Sequence, residues 1–219
     1  MDKLRLLFSK TGRAVYISHL DLMRTLTRAF LRAECRLKYS EGFNPHPQIS
    51  IALPLSVGCE SICEIMDFKL IEDKAPDEIL AALSKQLPEG IEAIEVYTSE
   101  RKVKELKWLK ISGVFEYDKR DCALMAQKLN EFFNRDSIVI TKKTKRGMGE
   151  SDIKPAIKEI SFEQSGSDVC MRAVISAQEP TLNPELIADA LRQLAPDIAP
   201  DFAKFKRLEV FDENMSVFR

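Results

Sequence analysis

Residues 18–47 read SHLDLMRTLTRAFLRAECRLKYSEGFNPHP, and this stretch decides how the chain is divided into elements. At about 100° per residue, Leu22, Met23, Leu26, Ala29, Phe30 and Ala33 fall on one broad arc of a helical wheel. Arg24, Arg28, Arg32 and Arg36 fall on the opposite side. Ser18 is placed as the N-cap, with Asp21 standing where a capping box carries Glu. The pattern predicts a helix from Ser18 to about Cys35. Leu37–Tyr39 is then extended, and Pro45 and Pro47 make residues 41–47 a loop. On the N-terminal side, Leu4–Ser9 alternates as a strand with Leu4, Leu6 and Phe8 on one face. On the C-terminal side, strands are predicted at Gln48–Leu55 and Ser61–Leu70, a helix at Pro76–Leu87 and a strand at Ile91–Thr98. The order β-α-β-β-α-β is that of a ferredoxin-like unit.

A charged segment, Ser99–Lys107, reads as a linker, and a second round follows. Strands are predicted at Trp108–Tyr117 and Ser137–Thr144, with a helix at Asp121–Asn134 between them. Residues 151–160 read as a short turn or helix. A hairpin joins Ile160–Gln164 to Val169–Ser176 around Ser165–Asp168. A helix starts at Asn183-Pro184 and runs to Leu194, and a last strand covers Phe205–Phe211. The expected fold is α+β, with two ferredoxin-like (β-α-β-β-α-β) halves, residues 1–99 and 100–219, each with an antiparallel sheet. One mixed sheet with helices on one face is the alternative.

The 219 residues are 45% hydrophobic and 31% charged, enough to bury a core and remain soluble. A net charge of −1 supplies no global field toward polyanions, so nucleic-acid binding has to come from a local patch. No apolar run approaches the roughly 20 residues of a membrane span, no signal-peptide core opens the chain, and a cytoplasmic location is expected. The five cysteines are odd in number and widely spaced, which points to structural thiols rather than a disulfide framework or a metal site. No P-loop, dinucleotide fingerprint, zinc-binding helix motif, nucleophile elbow or radical SAM cysteine motif is present, and no cofactor is expected.

Four arginines at i, i+4 spacing repel one another along a helix, and only Asp21 shares their face. They are either a solvated face or an anion-binding stripe. Guanidinium forks suit phosphate, so Arg24, Arg28, Arg32 and Arg36 are candidate RNA contacts. Lys142, Lys143, Lys145 and Arg146 form a second basic cluster at a strand end. In the proline-bounded loop, Phe43 offers a stacking surface, Asn44 and His46 offer hydrogen bonds, and Tyr39 stands at its start. His46 and His19 are the two weak candidates for acid–base catalysis, with no catalytic residue otherwise assigned.

Ser18-His19-Leu20-Asp21, the arginine helix, Tyr39-Ser40-Glu41-Gly42-Phe43-Asn44-Pro45-His46-Pro47 and Ala52-Leu53-Pro54-Leu55-Ser56-Val57-Gly58 together resemble the radical SAM-associated (radical SAM-linked) protein family of unknown function. Asp152-Ile153-Lys154-Pro155 resembles a weaker motif of that family's second half. The resemblance implies a bacterial protein that partners a radical SAM enzyme, and it carries no catalytic assignment. The expected function is therefore a non-catalytic accessory subunit that engages RNA or docks the enzyme on its substrate. The alternatives are a ferredoxin-like RNA endonuclease using His46, and a pure protein-interaction scaffold.

Overall fold

The arginine-bearing helix is α1, His19–Arg32, and its sequence accounts for both of its ends. The Ser18 hydroxyl accepts the Asp21 amide and donates to the Asp21 carboxylate at 2.8 Å, as the capping pattern requires. The helix stops at Arg32 rather than near Cys35. The Cys35 amide donates back to the Phe30 carbonyl and the Glu34 amide to that of Leu31, a Schellman arrangement with Glu34 left-handed at φ 54°. Arg36 consequently lies beyond the helix and is not the fourth member of a helical stripe.

The chain is described here from a computed structural model, which covers residues 3–144 and 147–219. It is a mixed α/β protein whose sheet pairing is mostly antiparallel, with four α-helices among the described residues. It forms two compact units, Met1–Glu105 with Arg219, and Leu106–Phe218.

The first unit contains β1 (Leu4–Lys10), α1, β2 (Ile49–Ala52), β3 (Glu60–Phe68), α2 (Pro76–Ser84) and β4 (Ile91–Thr98). Its strands lie in the order β4-β1-β3-β2. Leu4 is opposite Phe68 and Phe68 opposite Ile49, so one face carries Leu4, Leu6, Phe8, Met66, Phe68, Ile49 and Ile51. That face packs on Leu22, Leu26 and Phe30 of α1 and Ile79 and Leu83 of α2. The Phe30 and Phe68 rings meet edge-on at 4.8 Å. β2 ends at Ala52, three residues before the expected end, because Leu53 turns left-handed at φ 51° ahead of Pro54.

Alternation sends Arg5 and Asp67 to the other face, where both are buried, at 0% and 3% exposure. The guanidinium grips the carboxylate through Nε–Oδ1 at 2.7 Å and Nη2–Oδ2 at 3.3 Å. Lys10 is also buried, and its ammonium donates to the carbonyls of Val15 (3.2 Å) and Ile17 (3.4 Å), fixing the turn that leads into Ser18. Burial lowers the Lys10 pKa, and the charge of Glu64 opposes that shift.

The second unit contains β5 (Trp108–Glu116), α3 (Cys122–Phe133), β6 (Val139–Thr144), β7 (Gly147–Asp152), β8 (Ile157–Ser165), β9 (Asp168–Ser176), α4 (Glu185–Leu194) and β10 (Phe202–Phe211). Without the separate β6–β7 hairpin, the element order and the strand order β10-β5-β9-β8 repeat those of the first unit. Its core holds a run of ring contacts, Phe205 to Phe115, Phe115 to Phe162 and Phe162 to Phe133. Gly113 leaves room for them, since a Cβ there would lie 3.3 Å from the Phe205 ring and 3.2 Å from Met171. β7 is absent from the sequence reading. Gly-Met-Gly-Glu-Ser-Asp has no β-branched or aromatic residue, and only pairing with β6 makes it a strand.

The left-handed Glu34 position favours glycine by about 1 kcal/mol. Glu34→Gly is therefore expected to raise the urea midpoint of the chain without changing its slope; an unchanged or lower midpoint would contradict the cap geometry.

Candidate functional site

The segment after α1 is shaped by its neighbours and its prolines. Arg36–Lys38 runs beside the end of β3, with the Lys38 amide donating to the Lys69 carbonyl at 2.8 Å and the Ile71 amide to the Arg36 carbonyl at 2.9 Å. Tyr39 then pairs antiparallel with Pro47. The Ser40 amide donates to the His46 carbonyl at 2.9 Å, and the Gln48 amide to that of Lys38 at 2.7 Å. The expected loop is thus a closed hairpin. Inside it, Ser40 Oγ accepts the His46 amide at 3.1 Å and lies 2.9 Å from His46 Nδ1. The Asn44 carbonyl lies 3.5 Å from the same Nδ1, so a hydroxyl and a carbonyl together hold the imidazole by that nitrogen. Gly42 at φ 120° makes the tip, and the Phe43 ring beside it is completely exposed. Asn44 and His46 are exposed and Tyr39 is half-exposed.

At the base of this hairpin is a cleft of about 250 Å³, lined by Lys3, His46, Pro47, Gln48, Ile49, Ser50, Asp67, Phe68 and Lys69. Asp67 is held on two sides, by Arg5 and by Lys3, whose Nζ stands 2.5 Å from Oδ2. Lys3 and Lys69 line the cleft, and the charge of Asp67 in its wall is met by the buried Arg5 behind it, so the two lysines leave a surplus of two positive charges without His46. Of these residues only His46 was a candidate from the sequence. Lys3, Asp67 and Lys69 looked like ordinary strand polarity. The available signal was that Lys3, Arg5, Asp67 and Lys69 alternate with the apolar residues that face the helices.

The arginines occupy a different surface. Arg24, Arg28 and Arg32 lie on the exposed side of α1, whereas the cleft's charged side chains are on the sheet face turned away from that helix. Arg24 pairs with Asp21 at 3.1 Å, and the hydrogen bonds from Ser18 and then from Arg24 keep the Asp21 carboxyl low. Arg32 donates to the Gln86 carbonyl at 2.7 Å, tying α1 to the end of α2. Arg36 pairs with Glu72. Arg28 is exposed, between Leu20 (66% exposed) and Leu31 (72% exposed) along the helix. His19, the first residue of α1, is exposed and does not line the cleft.

In the second unit, Lys142 and Lys143 lie on β6, while Lys145 and Arg146 are outside the described residues. Gln193 of α4 exchanges two hydrogen bonds with the Thr141 backbone, at 2.8 and 3.0 Å, and so anchors this hairpin. The sheet face away from α3 and α4 carries Lys110, Arg172, Lys204 and Lys206 against Glu116, Glu159, Glu163, Asp168 and Glu209, which leaves no cationic surplus. Among the described residues, no group of three or more His, Cys, Asp or Glu side chains is placed to hold a metal ion, and no helix is long and apolar enough to cross a membrane.

Asp152-Ile153-Lys154-Pro155 has a structural explanation. Asp152 Oδ1 accepts the amides of Ile138 and Lys154, both at 2.9 Å, and Ile153 is buried. Lys154 Nζ donates to the Phe133 carbonyl at 2.6 Å, capping the C-terminus of α3.

The chain belongs to the DUF2344 family, described as an uncharacterized protein conserved in bacteria, whose model matches residues 3–184. No curated protein matches it. Among solved structures, a chain of a Cbf5-Nop10-Gar1 complex is similar over 96% of this chain, at 12% identity and a TM-score of 0.50. This chain spans 50% of that one, and the likeness is one of fold. A protein of Galdieria sulphuraria aligns over 94% of this chain and 98% of its own, at 9% identity and a TM-score of 0.27, too low to carry an argument.

The two amide bonds to Asp152, the Ile138 bond first, hold its carboxyl below the usual range. A depressed folded-state pKa gives stability that is present above the unfolded value of 3.8 and lost as pH falls through the folded value. Asp152→Asn should therefore melt below the wild type at pH 7, with the gap closing in acid. A gap that persists at pH 2 would show that charge is not its source.

Proposed function

We propose that the chain is a binding module for single-stranded RNA, acting as an accessory subunit of a radical SAM enzyme. The observation that carries this reading is the completely exposed Phe43 ring at the tip of a hairpin whose base opens into a cation-lined cleft. Aromatic rings presented to solvent stack on unpaired bases, and a nearby cationic groove takes the phosphates. Phe43 and Tyr39 would stack, Asn44 and His46 would hydrogen-bond to base or ribose edges, and Lys3 and Lys69 would meet phosphate. The repeated element order and the matching strand orders support reading both units as ferredoxin-like.

The outer face of α1 would dock the protein partner. Arg24 and Arg28 with Leu20 and Leu31 make a mixed arginine and apolar surface, of the composition that interface cores favour. The motif resemblance points to a radical SAM enzyme as the partner. An endonuclease reading of His46 needs a second acid–base group. The carboxylate in the cleft, Asp67, has both oxygens engaged by Arg5 and Lys3, which favours binding over cleavage.

Fluorescence anisotropy with a short unstructured RNA tests this. Phe43→Ala should weaken binding about tenfold, the loss of one base–aromatic stack. Lys69→Glu should weaken it further and flatten its salt dependence. RNA affinity that is the same in both variants and the wild type would sink the proposal.

A further inference from the structure

We infer that the cleft beneath the hairpin is a receptor for a phosphate monoester, the terminal phosphate of an RNA strand. This rests on the RNA-binding reading and adds the chemical group that the cleft selects. The first support is charge. An internal phosphodiester carries one negative charge, whereas a monoester carries about 1.5–2 at pH 7. The surplus of two positive charges matches the monoester.

The second support is the way the cations are held. A lysine on a surface strand normally samples many rotamers, which weakens any site built from it. Lys3 is half-exposed, and its ion pair is with a buried carboxylate, which favours a single orientation. Its Nζ is fixed 2.5 Å from Asp67 Oδ2, and Asp67 is fixed in turn by the Arg5 guanidinium, buried at 0% exposure. The carboxylate therefore orients a cation at the cleft wall, and its own charge is more than balanced. Lys69 immediately follows β3, two residues on from Asp67, and lines the same cleft. Across the cleft, the Ser40 hydroxyl and the Asn44 carbonyl hold the His46 imidazole by Nδ1, and Ser50 adds an exposed hydroxyl. Two ammonium groups, an imidazole and a hydroxyl line a cleft that can meet the three free oxygens of a monoester.

The third support is size. At about 250 Å³ the cleft is smaller than the roughly 300–1,000 Å³ of sites that enclose drug-sized ligands. It suits a phosphate with part of its ribose rather than a run of nucleotides. The strand would lead away from the cleft along the hairpin toward Phe43.

The experiment compares one oligoribonucleotide sequence carrying a 5′-phosphate, a 3′-phosphate or hydroxyls at both ends. One or both monoester forms should bind about tenfold tighter than the hydroxyl form, and millimolar inorganic phosphate should remove that preference. Lys69→Met should equalise the three. Ser50→Glu should do the same from an exposed position where folding is not at stake. Equal binding of all three RNAs by the wild type, with no response of the Lys69 amide resonance to inorganic phosphate, overturns the inference and leaves RNA binding standing. Failure to bind any RNA, with inorganic phosphate shifting the Lys3, His46 and Lys69 resonances in the wild type but not in Lys69→Met, keeps the phosphate site and removes the RNA reading.

Discussion

The Arg5–Asp67 pair is the constraint on which the first unit depends. Both groups are buried, and their two contacts join neighbouring strands at one ladder position. A buried ion pair adds little net stability over a well-packed apolar pair, but breaking it by removing one partner costs about 3–5 kcal/mol. Its effect is therefore on register. A slip of one residue between β1 and β3 would turn one side of the pairing over, bringing Leu6 or Met66 to the polar face and a charge into the helix-side core. With the register fixed, Leu4 lies opposite Phe68, and Lys3 and Lys69 follow at the strand ends where the cleft opens. The same pair that aligns the sheet also orients Lys3 at the cleft wall.

The hairpin depends on this frame. The Lys38 amide and the Gln48 carbonyl both bond Lys69, so the two arms of the hairpin rise from the residue that follows β3. The prolines and the Ser40–His46 bonds stiffen the arms, and the tip projects Phe43 into solvent at no packing benefit to the fold. On the other side of the sheet, α1 spends its apolar arc on the core and keeps Leu20, Leu31, Arg24 and Arg28 outside. The unit thus presents two chemically different surfaces, one aromatic and cationic, the other apolar and arginine-bearing. That separation is the physical basis for assigning RNA to one and protein to the other.

The sequence disclosed the first unit's element order, because Leu22, Leu26, Ala29 and Phe30 repeat at helical spacing and Leu4, Leu6 and Phe8 alternate. It also disclosed the Ser18 cap, a local hydrogen bond that residue type determines. It misplaced the helix end, because no glycine marks the left-handed Glu34. It missed β7, whose residues have no intrinsic strand preference. The four arginines formed one stripe on the wheel, yet three have partners set by tertiary contacts or by the N-cap: Asp21, Gln86 and Glu72. The cleft was the least legible feature. His46 was visible between its prolines, but Lys3, Asp67 and Lys69 acquire meaning only once β1 and β3 are in register.

Amide chemical-shift mapping of the whole chain during titration with a short single-stranded RNA addresses the central claim most directly. The account predicts the largest shifts at Lys3, across the Tyr39–Ser50 hairpin and at Lys69. Shifts confined to the outer face of α1 or to the β6–β7 hairpin, with Phe43 and the cleft unmoved, would contradict it.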